Sequence, residues 1–128
     1  MRQLAFAFGI AILLSCGTEA PSSSDISPEA LLARSGSGDA PLLLDVRTPE
    51  EFAKGHVPGA LNIPVDQLTA RTQELAAHRD GDVVVYCERG GRAAKAATVL
   101  REAGFLNVLH LEGDMSAWRA DGRPVDRP

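Results

Sequence analysis

A run of three valines and a tyrosine, Asp82-Val83-Val84-Val85-Tyr86, stops at Cys87. A short β-branched run that follows an Asp80-Gly81 turn suits a buried strand. Six residues, Cys87-Glu88-Arg89-Gly90-Gly91-Arg92, then lead into Ala93 to Ala103, a stretch of strong helix formers that closes at Gly104. The thiol is therefore expected where a strand hands over to a helix. Such a junction points backbone N–H groups into the turn, and the helix dipole favours negative charge there. Gly90 and Gly91 let the loop curl with its amides inward. Arg89 and Arg92 add positive charge. A cysteine in these surroundings is expected to ionise readily and to act as a nucleophile. Two glycines and two arginines directly after it argue against an inert strand-end cysteine.

The remaining pattern surrounds this junction with strands and helices in alternation. Ser27 is a good N-cap with Pro28 at the first helical position, so a short helix is expected over Pro28–Arg34, with Ile26 packed on Leu31 across the cap. Leu42-Leu43-Leu44-Asp45-Val46 reads as a second buried strand. Thr48-Pro49-Glu50-Glu51 is a capping box that starts another short helix, ended by Gly55. His56-Val57-Pro58-Gly59-Ala60 is a turn, and Leu61-Asn62-Ile63 a short strand. Val65 to Ala77 suits one or two helical pieces. Asn107-Val108-Leu109-His110-Leu111 is a further strand, and Met115 to Ala120 a last helix. This alternation predicts a parallel α/β sheet, whose ligands bind at the carboxyl ends of the strands. Both Asp45 and Cys87 lie at such ends.

The first residues read differently. Leu4 to Leu14 is 11 residues of unbroken apolar residues and glycine after Met1-Arg2-Gln3. A bilayer span takes about 20 residues, so this length suits a secretory signal. Leu13-Leu14-Ser15-Cys16 follows and resembles the lipobox of bacterial lipoproteins, in which the cysteine is lipidated and becomes the first residue. The expected organisation is a signal peptide over 1–15, a lipidated N-terminus and flexible tether over 16–25, and one domain over 26–128. That places the protein in the cell envelope, lipid-anchored and facing the periplasm or the extracellular side. With Cys16 carrying lipid, Cys87 is left as the one thiol, and no disulfide is expected.

Three stretches, in order, resemble the rhodanese homology domain. Phe52, three further residues and His56-Val57-Pro58-Gly59-Ala60 match its first signature, Cys87 to Arg92 its active-site loop, and Leu111-Glu112-Gly113-Asp114-Met115-Ser116-Ala117-Trp118 its C-terminal signature. Asp114 stands where that signature usually has glycine, a departure expected to matter little. The resemblance covers about Ile26 to Val125. It implies a rhodanese-like α/β fold, a five-stranded parallel sheet flanked by helices on both faces. It also implies a sulfurtransferase: Cys87 takes sulfane sulfur from a donor such as thiosulfate, holds it as a persulfide, and passes it to cyanide or a thiol. Glu88, Arg89, Gly90, Gly91 and Arg92 would bind the substrate, with Arg89 exposed at the apex and Arg92 adding charge or holding the loop. Glu88 is expected to face outward, with no role assigned. Asp45 and Arg47 could touch the site but are read as a structural ion pair, and His56 as holding its turn. His78 and His110 are expected to be surface or strand residues.

Alternative readings remain at this point. Related cell-cycle phosphatases share the fold implied by the resemblance, and arsenate reductase chemistry is similar, but their loop has five residues between cysteine and arginine where this one has four. A sulfur carrier or binding module without turnover is a further alternative; non-catalytic binding modules usually lose the cysteine, which this chain keeps. A thiol redox partner would want a second nearby cysteine. The formal net charge of −4 and the absence of a basic stripe give no reason to expect nucleic acid. No metal-ligand spacing is visible and no cofactor is expected; a monomer is. The anchor has its own test. Cys16→Ala, expressed in a bacterial host, should lose incorporation of labelled palmitate and membrane retention. Wild-type protein recovered without acyl label in the soluble fraction would overturn the assignment.

Overall fold

The computed structural model describes residues 24–128. The signal segment, Cys16 and the tether up to residue 23 lie outside the described residues. The elements run β1 (Asp25–Ile26), α1 (Pro28–Gly36), β2 (Leu42–Asp45), α2 (Pro49–Lys54), β3 (Leu61–Asn62), α3 (Val65–Arg71), a 3-10 segment (Thr72–His78), β4 (Asp82–Tyr86), α4 (Gly91–Glu102), β5 (Asn107–Leu111) and α5 (Asp114–Ala120). The five strands form one sheet in the order β1-β5-β4-β2-β3, and every pairing is parallel. β4, which leads to Cys87, lies at the centre. The all-parallel sheet flanked by helices is the fold that the sequence implies.

The alternation of side chains along a strand sorts this core into two layers. Val83, Val85 and Cys87 point to one face, where they pack with Leu44 and Val46 against Leu68, Leu75, Ala93, Ala96, Ala97 and Leu100 of α3, the 3-10 segment and α4. Val84 and Tyr86 point to the other face, packing with Leu43, Leu31, Leu111, Met115 and Trp118. Three alanines on the buried face of α4 bring that helix close to the sheet, and its N-terminus comes to rest beside the end of β4.

Local signals behave as their chemistry dictates. Ser27 caps α1 by accepting the Ala30 N–H, and Thr48 and Glu51 form the reciprocal capping box of α2. Three differences stand out. β1 carries too little pattern to be read as a strand. It is two residues long and is defined by what β5 offers it, the His110 N–H donating to the Ser24 carbonyl and the Glu112 N–H to the Ile26 carbonyl. Asp25 is thus part of the sheet and not of the tether. Secondly, α1 continues through Ser35 and Gly36, where a loop was expected; the Ser35 hydroxyl bonds back to the Leu31 carbonyl. Thirdly, α4 begins at Gly91, so Arg92 sits in its first turn and not in the loop.

The chain is tightly packed at the start of α5. Gly113 has φ +76°, and a Cβ built on it would lie 2.4 Å from the Cβ of Ala117. Gly113→Ala combines a left-handed backbone with a clash against the helix it precedes. It should lower the free energy of unfolding by about 2–3 kcal/mol in urea titration. A loss under about 0.5 kcal/mol would mean that α5 can shift freely.

Candidate active site

The chain leaves β4 at Tyr86, turns through Cys87 to Gly90, and enters α4. Gly90, with φ +117°, makes the turn possible. Its N–H donates to the Cys87 sulfur at 3.0 Å, and the Ala93 N–H approaches the same sulfur at 3.4 Å. Cys87 is 1% exposed. The N–H groups of Glu88, Arg89, Gly91 and Arg92 meet no acceptor among the described residues. A buried thiol thus accepts two backbone N–H groups at the start of a 12-residue helix, an arrangement that stabilises negative charge on sulfur. The loop is clamped from α5. The Met115 N–H donates to the Cys87 carbonyl and the Ser116 N–H to the Glu88 carbonyl, both at 3.0 Å. The Asp114 carboxylate accepts the Cys87 N–H at 3.0 Å.

Most of the charges around the loop are already paired. Arg92 donates to both oxygens of Glu51, at 2.7 and 3.0 Å, so it ties the loop to α2 and adds little net charge. Arg47 and Asp45 form a buried pair: Arg47 Nη2 lies 2.7 Å from Asp45 Oδ2 and 2.8 Å from the Gly55 carbonyl oxygen. Burial opposes the Arg47 charge, but the hydrogen bond and charge of Asp45 outweigh it and raise the guanidinium pKa. Glu88 does not face outward. It lies between Arg47, at 3.4 Å, and Arg119, with which it is in direct contact. Its position right after Cys87 brings it over the buried Arg47, and α5 supplies the second cation. Arg89 is exposed, as expected, and makes no ion pair among the described residues. A depression of about 300 Å³ next to Glu88 is lined by Arg47, Glu51, Lys54, Glu88 and Arg119. A larger one, about 440 Å³, lies among Asp82, Asn107 and Val108 at the opposite, amino ends of β4 and β5, away from the thiol. Among the described residues, no group of His, Cys, Asp and Glu is placed to hold a metal ion.

The model of the rhodanese-like domain family matches residues 27–121, nearly all of the described fold. The chain belongs to the rhodanese-like domain family. It is 37% identical over 105 residues to a sulfurtransferase of Allochromatium vinosum, covering 82% of this chain and 96% of that protein. It is 40% identical over 92 residues to the chloroplastic thiosulfate sulfurtransferase 16 of Arabidopsis thaliana, covering 64% of this chain and 77% of that one. Among solved structures, the human single-domain sulfurtransferase TSTD1 superposes with a TM-score of 0.68 at 29% identity, covering 77% of this chain and 96% of that one.

Within this rhodanese domain, the first signature acts as scaffold. The His56 ring stacks on Phe52 with centroids 3.7 Å apart, its Nδ1 lies 3.0 Å from the Phe52 carbonyl oxygen, and its backbone pairs with Asp126. These contacts hold the turn and the C-terminal residues. The neighbouring Val57 N–H donates to the Tyr86 hydroxyl at 3.1 Å, where burial and Asp45 push the phenol pKa up. Two features of the site were not foreseen in the sequence. Glu51 looked complete as a capping residue, and only its meeting with Arg92, 41 positions away, joins it to the loop. Asp114, whose replacement of glycine looked minor, touches the loop directly, and His110 binds it in turn. The departure from the signature was the available signal.

The Arg92–Glu51 contact sets a pH dependence. Its hydrogen bonds, with those from Thr48, lower the Glu51 carboxyl pKa from 4.5 to about 2. A group depressed in the folded state contributes stability above its unfolded pKa and loses it as pH falls through the folded one. Glu51→Gln keeps the capping box but removes the charge. Wild type should exceed the variant by about 1 kcal/mol near neutral pH, the pair being about one-third exposed and screened. That gap should close between pH 4.5 and 2, followed by thermal unfolding. A gap that does not change with pH would remove the ion pair from the stability of the loop.

Proposed function

We propose that the protein is a sulfurtransferase that carries sulfane sulfur on Cys87, with thiosulfate or a related anion as donor and a thiol or cyanide as acceptor. The observation that carries this reading is one buried sulfur that accepts the Gly90 and Ala93 N–H groups at the start of a helix. The Cys87 thiolate attacks the outer sulfur of thiosulfate, a new S–S bond forms, and the bond to the sulfite sulfur breaks. Sulfite leaves with the electron pair. The outer sulfur is now the terminal, negatively charged atom of a persulfide, and the unused N–H groups of Glu88, Arg89, Gly91 and Arg92 are the donors available to it, as in an oxyanion hole. An acceptor thiolate or cyanide then attacks that terminal sulfur and Cys87 leaves as thiolate.

Several features of the site favour this chemistry. A thiol with 1% exposure takes a single protruding atom more easily than a bulky group. The four residues between Cys87 and Arg92 make a narrow cradle suited to sulfur. Arg89, exposed and without an ion pair among the described residues, is the loop cation available to the sulfite end of the donor. The relatives named as sulfurtransferases, one of them as a thiosulfate sulfurtransferase, support the same reading. The lipobox-like Leu13-Leu14-Ser15-Cys16 supports an activity tethered at the membrane and facing the periplasm or the extracellular side.

Incubation with thiosulfate should add the mass of one sulfur atom to the peptide containing Cys87 and release one sulfite per protein. Cys87→Ser should do neither while keeping its thermal midpoint within a few degrees, since the change is small. Cyanide should then remove the added sulfur as thiocyanate. Sulfite release by the serine variant at the wild-type rate, or no sulfur on wild-type Cys87, would refute the assignment.

A further inference from the structure

At the one position where the chain departs from its family's C-terminal signature, it places a carboxylate against the reactive loop. Asp114 is 2% exposed and takes φ +55°, the only positive φ at a non-glycine residue among those described. Aspartate tolerates this conformation better than most residues, yet it is disfavoured. The side chain has a use for the position. Its Oδ1 accepts the Cys87 N–H at 3.0 Å. Its Oδ2 lies against Gly90, where a built Cβ would approach to 3.1 Å. Gly90 in turn donates its N–H to the sulfur at 3.0 Å. One carboxylate thus bears on both ends of the turn that carries the thiol.

A buried carboxylate needs a partner. His110, from β5, supplies it, with Nε2 at 2.9 and 3.0 Å from the two oxygens. The other groups that face His110 are Asp25 of β1, whose Oδ1 lies 3.7 Å from Nδ1, and Arg101 of α4. Arg101 lines the same depression of about 360 Å³ but gives Nη2 to the Val108 carbonyl at 3.1 Å. The Asp114 carboxylate is thus held from two sides, by the Cys87 N–H and by the imidazole.

We propose that Asp114 is a positioning residue for Cys87, and that His110 holds Asp114 in place to do so. The pair keeps the Cys87 amide and the Gly90 turn in register, so that the sulfur stays aligned for attack. This rests on Cys87 being the reacting thiol, which the sulfur-loading experiment tests separately.

The test uses the full chain and measures sulfite release from thiosulfate, with kcat and KM separated, alongside the thermal midpoint. Asp114→Gly removes the contact and relieves the backbone. It should keep its thermal midpoint while kcat for sulfite release falls about tenfold and KM stays within about twofold. Asp114→Asn keeps an oxygen for the Cys87 N–H and should recover most of that rate. His110→Gln keeps a donor for Asp114 and should stay within about threefold of wild type, whereas His110→Ala removes it and should lose about as much as Asp114→Gly. Loss in the glycine and alanine variants with recovery in the asparagine and glutamine variants supports the proposal. A glycine variant with the wild-type rate, an asparagine variant no better than the glycine one, or a loss confined to KM overturns it.

Discussion

The N–H of Met115 bonds to the carbonyl of Cys87, and the N–H of Ser116 bonds to the carbonyl of Glu88. Beyond the end of β4 the chain has lost its sheet partners, and the carbonyls of Cys87 and Glu88 would otherwise point at nothing. The first turn of α5 has the opposite lack, because its N–H groups have no carbonyl within the helix. Each end satisfies the other. This is why α5 must begin with two residues of positive φ, Gly113 and Asp114. The chain leaving β5 has to turn sharply to bring those amides over the end of β4. With the carbonyls of Cys87 and Glu88 held there, the Gly90 and Ala93 N–H groups meet the sulfur, and α4 starts beside it.

Around that clamp, charge is arranged by cancellation. Asp45 with Arg47, Glu51 with Arg92, and Glu88 with Arg119 are each a cation on one element facing an anion on the same or another. The partly exposed pairs contribute little to stability individually. The buried Asp45–Arg47 pair is costly to break, because either partner alone would be an uncompensated buried charge. Their joint effect is geometric. They fix α2, the first residue of the loop and α5 relative to one another. They also leave Arg89 as the loop's one cation without an ion pair among the described residues, at the exposed side. A positive loop on an acidic protein is therefore smaller in net charge than its two arginines suggest, and more directional.

Much of this was legible in the order of residues, and the reasons for the exceptions are specific. β2 and β4 were readable because buried parallel strands are continuous apolar runs. α1 and α2 were readable because a serine or threonine followed by proline starts a helix through contacts within three residues. β1 was not readable, since two residues carry no periodicity and Asp25–Ile26 is a strand only because β5 lies beside it. The outward orientation expected of Glu88 failed because nothing in Cys87-Glu88-Arg89 announces that Arg47 and Arg119 converge there. Asp114 was seen as a departure from a signature, but its weight became clear only when its oxygens were found on the Cys87 amide and His110.

The sequence by itself determined the strand–loop–helix that presents Cys87, the short loop of two glycines, and the family to which the domain belongs. These rest on interactions between residues a few positions apart, whose geometry follows from backbone propensity and capping. The tertiary structure alone decided which charges cancel and which buried carboxylate touches the loop. Those outcomes depend on contacts such as Arg92 with Glu51 and Cys87 with Asp114, 41 and 27 positions apart. Their physical cause is the packing of α2 and α5 against the end of one central strand, which no local pattern encodes.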